Sequence, residues 1–238
     1  MINLNTGFYK DLDTNFEQAL EMSDKEFSHT ELIGMLLSGN IPEKQIAALK
    51  LERLDSQEEA NILVSNLTGC DGKIREAVAL KIKNLVLENS VYIKYFNQAE
   101  IFADASIDIN GNICRLVIDS VEILKKSDDF SKRYIARILN FINEAFKELD
   151  NFIFRNKKYV INKQLFKLYW CLEALKLFAK DMTIEVLKPI LERASKEREY
   201  TIREKVAQIL ALINDENFIS LKIHLQNDEN YYVRNTII

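Results

Sequence analysis

Residues 184–213 read IEVLKPILERASKEREYTIREKVAQILALI. Ile184, Leu187, Ile190 and Leu191 fall on one face of a first helix, with Pro189 inside it. After a polar break, Ile202, Val206, Ile209, Leu210 and Ile213 fall on one face of a second. The end of the chain repeats the opening of that second helix. YTIREKV at 200–206 returns as YYVRNTI at 231–237, so that Ile202, Arg203 and Val206 answer to Val233, Arg234 and Ile237 at an offset of 31 residues. A fixed offset between amphipathic segments predicts a helical-pair repeat.

The same phase runs upstream. GKIREAV places Arg75 after Ile74, and 31 residues earlier Lys44 holds the corresponding slot in IPEKQIAALKLERL. In GNICRLVIDSVEIL, Ile113 takes the apolar slot and Cys114 the basic one, with Arg115 displaced by one. YVINKQLFKLYWCLEAL fits with Ile161 and Asn162, and its Leu165, Phe166, Tyr169 and Leu172 keep phase. Three residues before each apolar slot stand Asn40, Asp71, Asn110, Lys158, Glu199 and Asn230. Four of these six are Asn or Asp, whose side chains accept a hydrogen bond from an unpaired amide at a helix start. Pro42 suits a first helical turn, and Ser28 with Glu31 and Ser56 with Glu59 have capping-box spacing.

An L-x-x-L-x-P-x-L-like first helix, an acidic turn and a V-R-x-x-A/V-x-x-x-L second helix is similar to the HEAT repeat. Leu187, Pro189, Leu191, Ile202, Arg203, Val206, Ala207 and Leu210 carry the resemblance most fully. It implies an all-α fold, a right-handed α-α superhelix (α-solenoid) of about six HEAT-like helix pairs forming one domain over 1–238. Residues 1–27 are expected to cap it, with a helix over 9–23, and 28–238 to hold the repeats, the last one incomplete. The expected pairs are 28–38 with 42–54, 56–68 with 72–88, 92–104 with 111–126, 129–149 with 160–179, 183–195 with 200–213, and 216–226 with 231–238. Neighbouring pairs would bury a continuous core that no single pair could form. The chain closes on apolar Ile237 and Ile238 where a solenoid normally ends in a polar face. Two readings stay open: another chain or more of this one covers the edge, giving self-association there, or a short helix lies against its own repeat.

Composition fits long helices. The chain has 238 residues, 47% hydrophobic, with only 6 Gly and 2 Pro, too few for a turn-rich β protein. Cys70, Cys114 and Cys171 share no metal-ligand spacing and suit a reducing compartment. No apolar run approaches the roughly 18 residues of a membrane span, and the start carries no secretory pattern, so the expected location is cytoplasmic. Residues 1–60 hold five Lys or Arg against twelve Asp or Glu, a net of −7 that leaves +3 for the remainder. Such asymmetry polarises a surface, or simply reflects solvated helix faces.

Catalytic groups are sparse. His29 and His224 are the two histidines, far apart and neither followed by Glu as in metal-dependent HEAT-like enzymes, so no metal and no cofactor are expected. Cys70 precedes a helix start, where the dipole favours a thiolate, but Asp71 beside it opposes that effect. The expected function is a non-enzymatic scaffold holding a protein or peptide partner along the concave second helices. That surface is read at Arg115, Asp119, Lys163, Lys167, Lys205 and Gln208, from slots shared between repeats. Arg75, Arg203 and Arg234, with Asp71 and Pro189, are read as structural positions that hold repeats in register. Nucleic acid is not the expected partner, because mixed charge suits a protein better. Two alternatives stand beside this reading. HEAT-like alkylpurine DNA glycosylases resemble the chain in length and repeat type, which implies Trp170 and Glu173 at the base with Lys157, Lys158, Lys163 and Lys167 on phosphates. Lyase-associated repeats imply a chromophore or ligand site, for which Cys70 is the candidate.

Overall fold

The computed structural model describes residues 6–151 and 158–237; Lys157 and Ile238 lie outside them. Among the described residues the chain is all-α, with thirteen α-helices and no strand. The helices are α1 (Thr6–Ser23), α2 (His29–Ser38), α3 (Ile41–Lys50), α4 (Gln57–Ser65), α5 (Gly72–Glu88), α6 (Ala99–Ala105) and α7 (Gly111–Leu124). They continue with α8 (Asp128–Asp150), α9 (Lys158–Lys176), α10 (Ile184–Ala194), α11 (Tyr200–Ala211), α12 (Ile219–Gln226) and α13 (Tyr231–Thr236). No helix of the described residues is long and apolar enough to cross a membrane.

The chain groups into two compact units, Met1–Ser131 and Lys132–Ile238, divided in the first turn of α8. In the first, α3 packs against α1, α2 and α5, and α5 packs against α7. Leu36, Leu51, Leu63, Ile82 and Ile113 are fully buried there, and Phe102 meets Phe96 and Phe130 edge-on at 6.2 and 5.6 Å. In the second unit α11 is central, touching α9, α10, α12 and α13, with Ile202, Val206 and Leu210 completely buried.

The helix starts follow from the residues before them. Asn40, Asp71, Asn110 and Asn230 each accept a backbone amide of the helix that follows. Ser28 with Glu31 and Asn40 with Glu43 close full capping boxes, and Pro42 sits in the first turn of α3. Ser56 accepts the Glu59 amide, but the Glu59 carboxylate turns to the Asp55 amide at 2.7 Å and to His29. Pro189 lies inside α10. Two expected spans differ. The helix read over 92–104 is a 3-10 turn at Ser90–Lys94 and a separate α6, because Asn89 caps Val91 and Tyr92 is buried with its hydroxyl against the Leu54 amide. The helix read over 42–54 stops at Lys50, where the backbone extends to bury Leu51 and Leu54.

Hydrogen bonds of Arg75, Arg203 and Arg234 tie helices to the connections around them inside each unit. Arg75 binds Asp108 through two nitrogens (2.6 and 3.2 Å) and donates to the Gly69 carbonyl at 2.7 Å. Asp108 also accepts the amide of Asn110, the residue that caps α7. In the second unit Arg203 binds Asp228 (2.6 and 2.9 Å) and donates to the Glu197 carbonyl, while Asp228 accepts the amide of Asn230, the cap of α13. Arg234 reaches back to the carbonyls of Asp228 and Glu229. Cys114 takes the same backward position, its thiol donating to the Asp108 carbonyl at 3.1 Å. Burial, then the nearby Asp108 charge, pushes that thiol up to about 12, so it remains a protonated donor.

The Arg203–Asp228 pair has side chains only 8% and 5% exposed, which makes its loss costly. Arg203→Ala should destabilise the second unit by about 3–5 kcal/mol, because Asp228 is left as a buried, unpaired charge. Chemical denaturation of the single variants and of Arg203→Ala/Asp228→Ala checks this: the double variant should lose clearly less than the sum of the two.

Candidate functional site

Helix α9 brings its aromatic residues together by helical spacing. Asn162, Phe166 and Trp170 are four residues apart and share a face, with Tyr169 beside them. Phe166 and Tyr169 meet the Trp170 ring edge-on, at 6.2 and 5.2 Å between centroids. With Leu165 and the start of α11 (Glu199 and Thr201) they line a shallow cleft of about 480 Å³. Glu199 stands at the cap of α11 without bonding its amides; its carboxylate takes the Thr201 hydroxyl at 3.3 Å instead. Trp170 is only 8% exposed, and its indole Nε1–H is buried with no hydrogen-bond acceptor among the described residues. Phe166 is 39% exposed and forms the open wall of the cleft.

Charged groups of α9 and α11 surround this cleft, mostly in internal pairs. Lys205 of α11 is buried, places Nζ 4.7 Å from the Tyr169 ring centre, and donates to Glu173. Glu173 also accepts from Lys176 at 2.6 Å. Burial acts to raise the Glu173 carboxyl, but the hydrogen bonds from Lys176 and Lys205 outweigh it and hold the group below its usual range. Burial likewise works to lower Lys205, and its bond to Glu173 more than reverses that.

The residues read as partner contacts fall into different settings. Arg115 and Lys163 are exposed. Asp119 is bound by Lys83 at 2.7 Å. Lys167 donates to Glu144 at 2.7 Å and lies over the Phe141 ring. Gln208 accepts from Lys205 at 3.0 Å and donates to Glu204. Lys205, buried and paired, has no ammonium to offer a partner; its slot in the repeat hid the carboxylate 32 residues earlier in the chain that holds it. Asp71 is committed to the amides of Lys73 and Ile74, so Cys70, although exposed, does not have those helix-start donors to itself. In α13 and the residue after it, among the described residues, Ile237 is buried while Tyr231 and Tyr232 are exposed, the latter stacked on Tyr200 at 6.2 Å. Asp108 and Asp228 are positions the repeat slots do not single out, though each stands two residues before a capping Asn, in DIN and DEN.

No family model and no curated protein matches the chain. Among solved structures, the chain is similar to an engineered protein from the Northeast Structural Genomics Consortium, with a TM-score of 0.45 and 13% identity over 89% of this chain and 94% of that one.

Because Glu173 is held in its charged form, it stabilises the fold fully above the ordinary carboxylate value of about 4.3, and that contribution is lost as pH falls through its lower folded value. Glu173→Gln should therefore be less stable than the wild type at pH 7 by about 1.5–3 kcal/mol. Melting curves across pH check this; the two proteins should converge as acid protonates Glu173.

Proposed function

We propose that the chain is a peptide- or protein-binding module of HEAT-like helix pairs, a right-handed α-solenoid of about six such pairs, that holds an extended segment of its partner against α9 and α11. The reading rests on one observation, the buried Trp170 N–H without an acceptor, at the base of an aromatic-lined cleft. A buried donor left unmatched costs about 1–3 kcal/mol, and native proteins rarely keep one without a reason. A peptide carbonyl supplies the missing acceptor once the half-exposed Phe166 ring swings aside. The surrounding rings supply the apolar contact area that interface anchors require. Lys163, exposed one residue from Asn162, gives the rim a positive charge suited to an acidic residue beside the anchored carbonyl.

Nucleic acid is a poorer occupant. A phosphate track needs several uncommitted cations, whereas Lys167 is paired with Glu144 and Lys205 is buried against Glu173. A glycosylase would further need a carboxylate available to the sugar, and both lysines on Glu173 compete for that role.

Trp170→Phe retains the ring's bulk and deletes the donor, while Lys163→Glu alters the rim alone. Peptides selected on the wild-type protein from a displayed library should bind Trp170→Phe about 5–20-fold more weakly, matching one lost hydrogen bond to a buried group. Peptides carrying an acidic residue should bind Lys163→Glu more weakly as well. Helical melting of both variants should stay near that of the wild type. Trp170 is the single tryptophan, so its emission reports occupancy directly. A library yielding no peptide, or peptides indifferent to both changes, would sink the proposal.

A further inference from the structure

We propose that His29, Asp55 and Glu59 form a binding site for one divalent transition-metal ion of the zinc class, in the first unit and apart from the cleft beside Trp170. The three residues come from separate places: His29 opens α2, Asp55 lies in the connection before α4, and Glu59 is in the first turn of α4. Folding brings one ligand atom of each within 4.8 Å of the others. His29 Nε2 lies 3.0 Å from Glu59 Oε1 and 3.5 Å from Asp55 Oδ2. Zinc–nitrogen and zinc–oxygen bonds of about 2.0–2.2 Å at tetrahedral angles put neighbouring ligand atoms about 3.3–3.5 Å apart. The separations from His29 are thus already close to the edges of a zinc tetrahedron, with a fourth corner left for water or solute.

The outer contacts orient both carboxylates for this role. Arg53 holds Asp55 Oδ1 through Nε at 2.8 Å and also reaches Oδ2 at 3.4 Å, with Oδ2 3.5 Å from the histidine Nε2. Glu59 Oε2 accepts the Asp55 backbone amide at 2.7 Å, and both Glu59 oxygens lie 3.0 Å from the histidine Nε2. Both carboxylates are thus held by donors other than the histidine, the kind of outer contact that orients metal ligands elsewhere.

His29 also lines an open cavity of about 430 Å³ with Glu26, Lys50, Glu52 and Arg53, so its ring is accessible from solvent. Residues 1–60, which contain every ligand, carry a net charge of −7. Paired histidines or a His-Glu motif would mark a metal site in the sequence; one histidine joined to carboxylates 26 and 30 residues away carries no such local mark.

Cobalt(II) is a suitable probe, because tetrahedral coordination gives it intense visible bands. The full chain, stripped of metal, should show those bands saturating at one equivalent, and zinc should displace the cobalt. His29→Gln should abolish them, Glu59→Gln should weaken binding at least about tenfold, and His224→Gln should leave both band intensity and affinity unchanged. If His29→Gln fails to fold, Asp55→Asn and Glu59→Gln carry the test, with each variant's helical melt recorded without metal. Zinc should also raise the wild-type melting temperature in proportion to the logarithm of its concentration, and should not do so for the ligand variants. The proposal is overturned if cobalt gives no saturable bands, if the bands survive in His29→Gln, or if they carry the thiolate charge-transfer absorption that would mark Cys70 as the ligand.

Discussion

A planar guanidinium that faces two ways is the contact on which the packing of each unit depends. Arg75 and Arg203 each donate backward to a loop carbonyl six residues earlier and forward, bidentately, to an aspartate in the next connection. That aspartate in turn accepts the amide of the asparagine that caps the following helix. One side chain thus pins the connection before its own helix, fixes the loop beyond the next helix and positions the start of the helix after that. Lysine has no fork with which to bind both oxygens of the carboxylate and the carbonyl together. Lys44, in the equivalent slot, accordingly makes a simpler link: its ammonium binds Asn66, which donates to the Leu36 carbonyl.

The same economy explains why α9 and α11 present few uncommitted charges. Lys167 and Lys205 lie over aromatic rings and against carboxylates, so their charge is spent on joining helices. Around the Trp170 cleft stand ring surface, the unmatched indole donor, the Glu199 carboxylate and, at the rim, exposed Lys163. On the proposed reading, a partner there would be held more by shape and one directional bond than by long-range attraction.

Local rules left a clear trace in the sequence. Asn40, Asp71, Asn110 and Asn230 announced four helix starts, because a cap is a contact between residues two or three apart. The periodic apolar residues of α11 likewise marked its buried face. The break within 90–105 was hidden because it depends on a contact between Tyr92 and Leu54, 38 residues away. The burial of Lys205 was hidden for a similar reason, since slot logic places a residue on a helix and does not reveal the acid opposite it. At the candidate cleft, the aromatic residues could be read from the spacing of α9, whereas the unmatched indole donor of Trp170 depends on how α9 and α11 pack among the described residues.

Cys114 gives the arginine series a particular consequence. It reproduces the backward bond to the Asp108 carbonyl, but a thiol has no second arm with which to grip an aspartate further along. The forward tether that Arg75 supplies to α7 has no counterpart leaving α7 from this slot, and the boundary between the two compact units follows shortly after, at Ser131 and Lys132. Local opening tends to follow contiguous packed units. Backbone amides in α3, α5 and α7 would then exchange with solvent as one group and those in α9, α11 and α13 as another, with the thiol of Cys114 as the last of these backward bonds before the division.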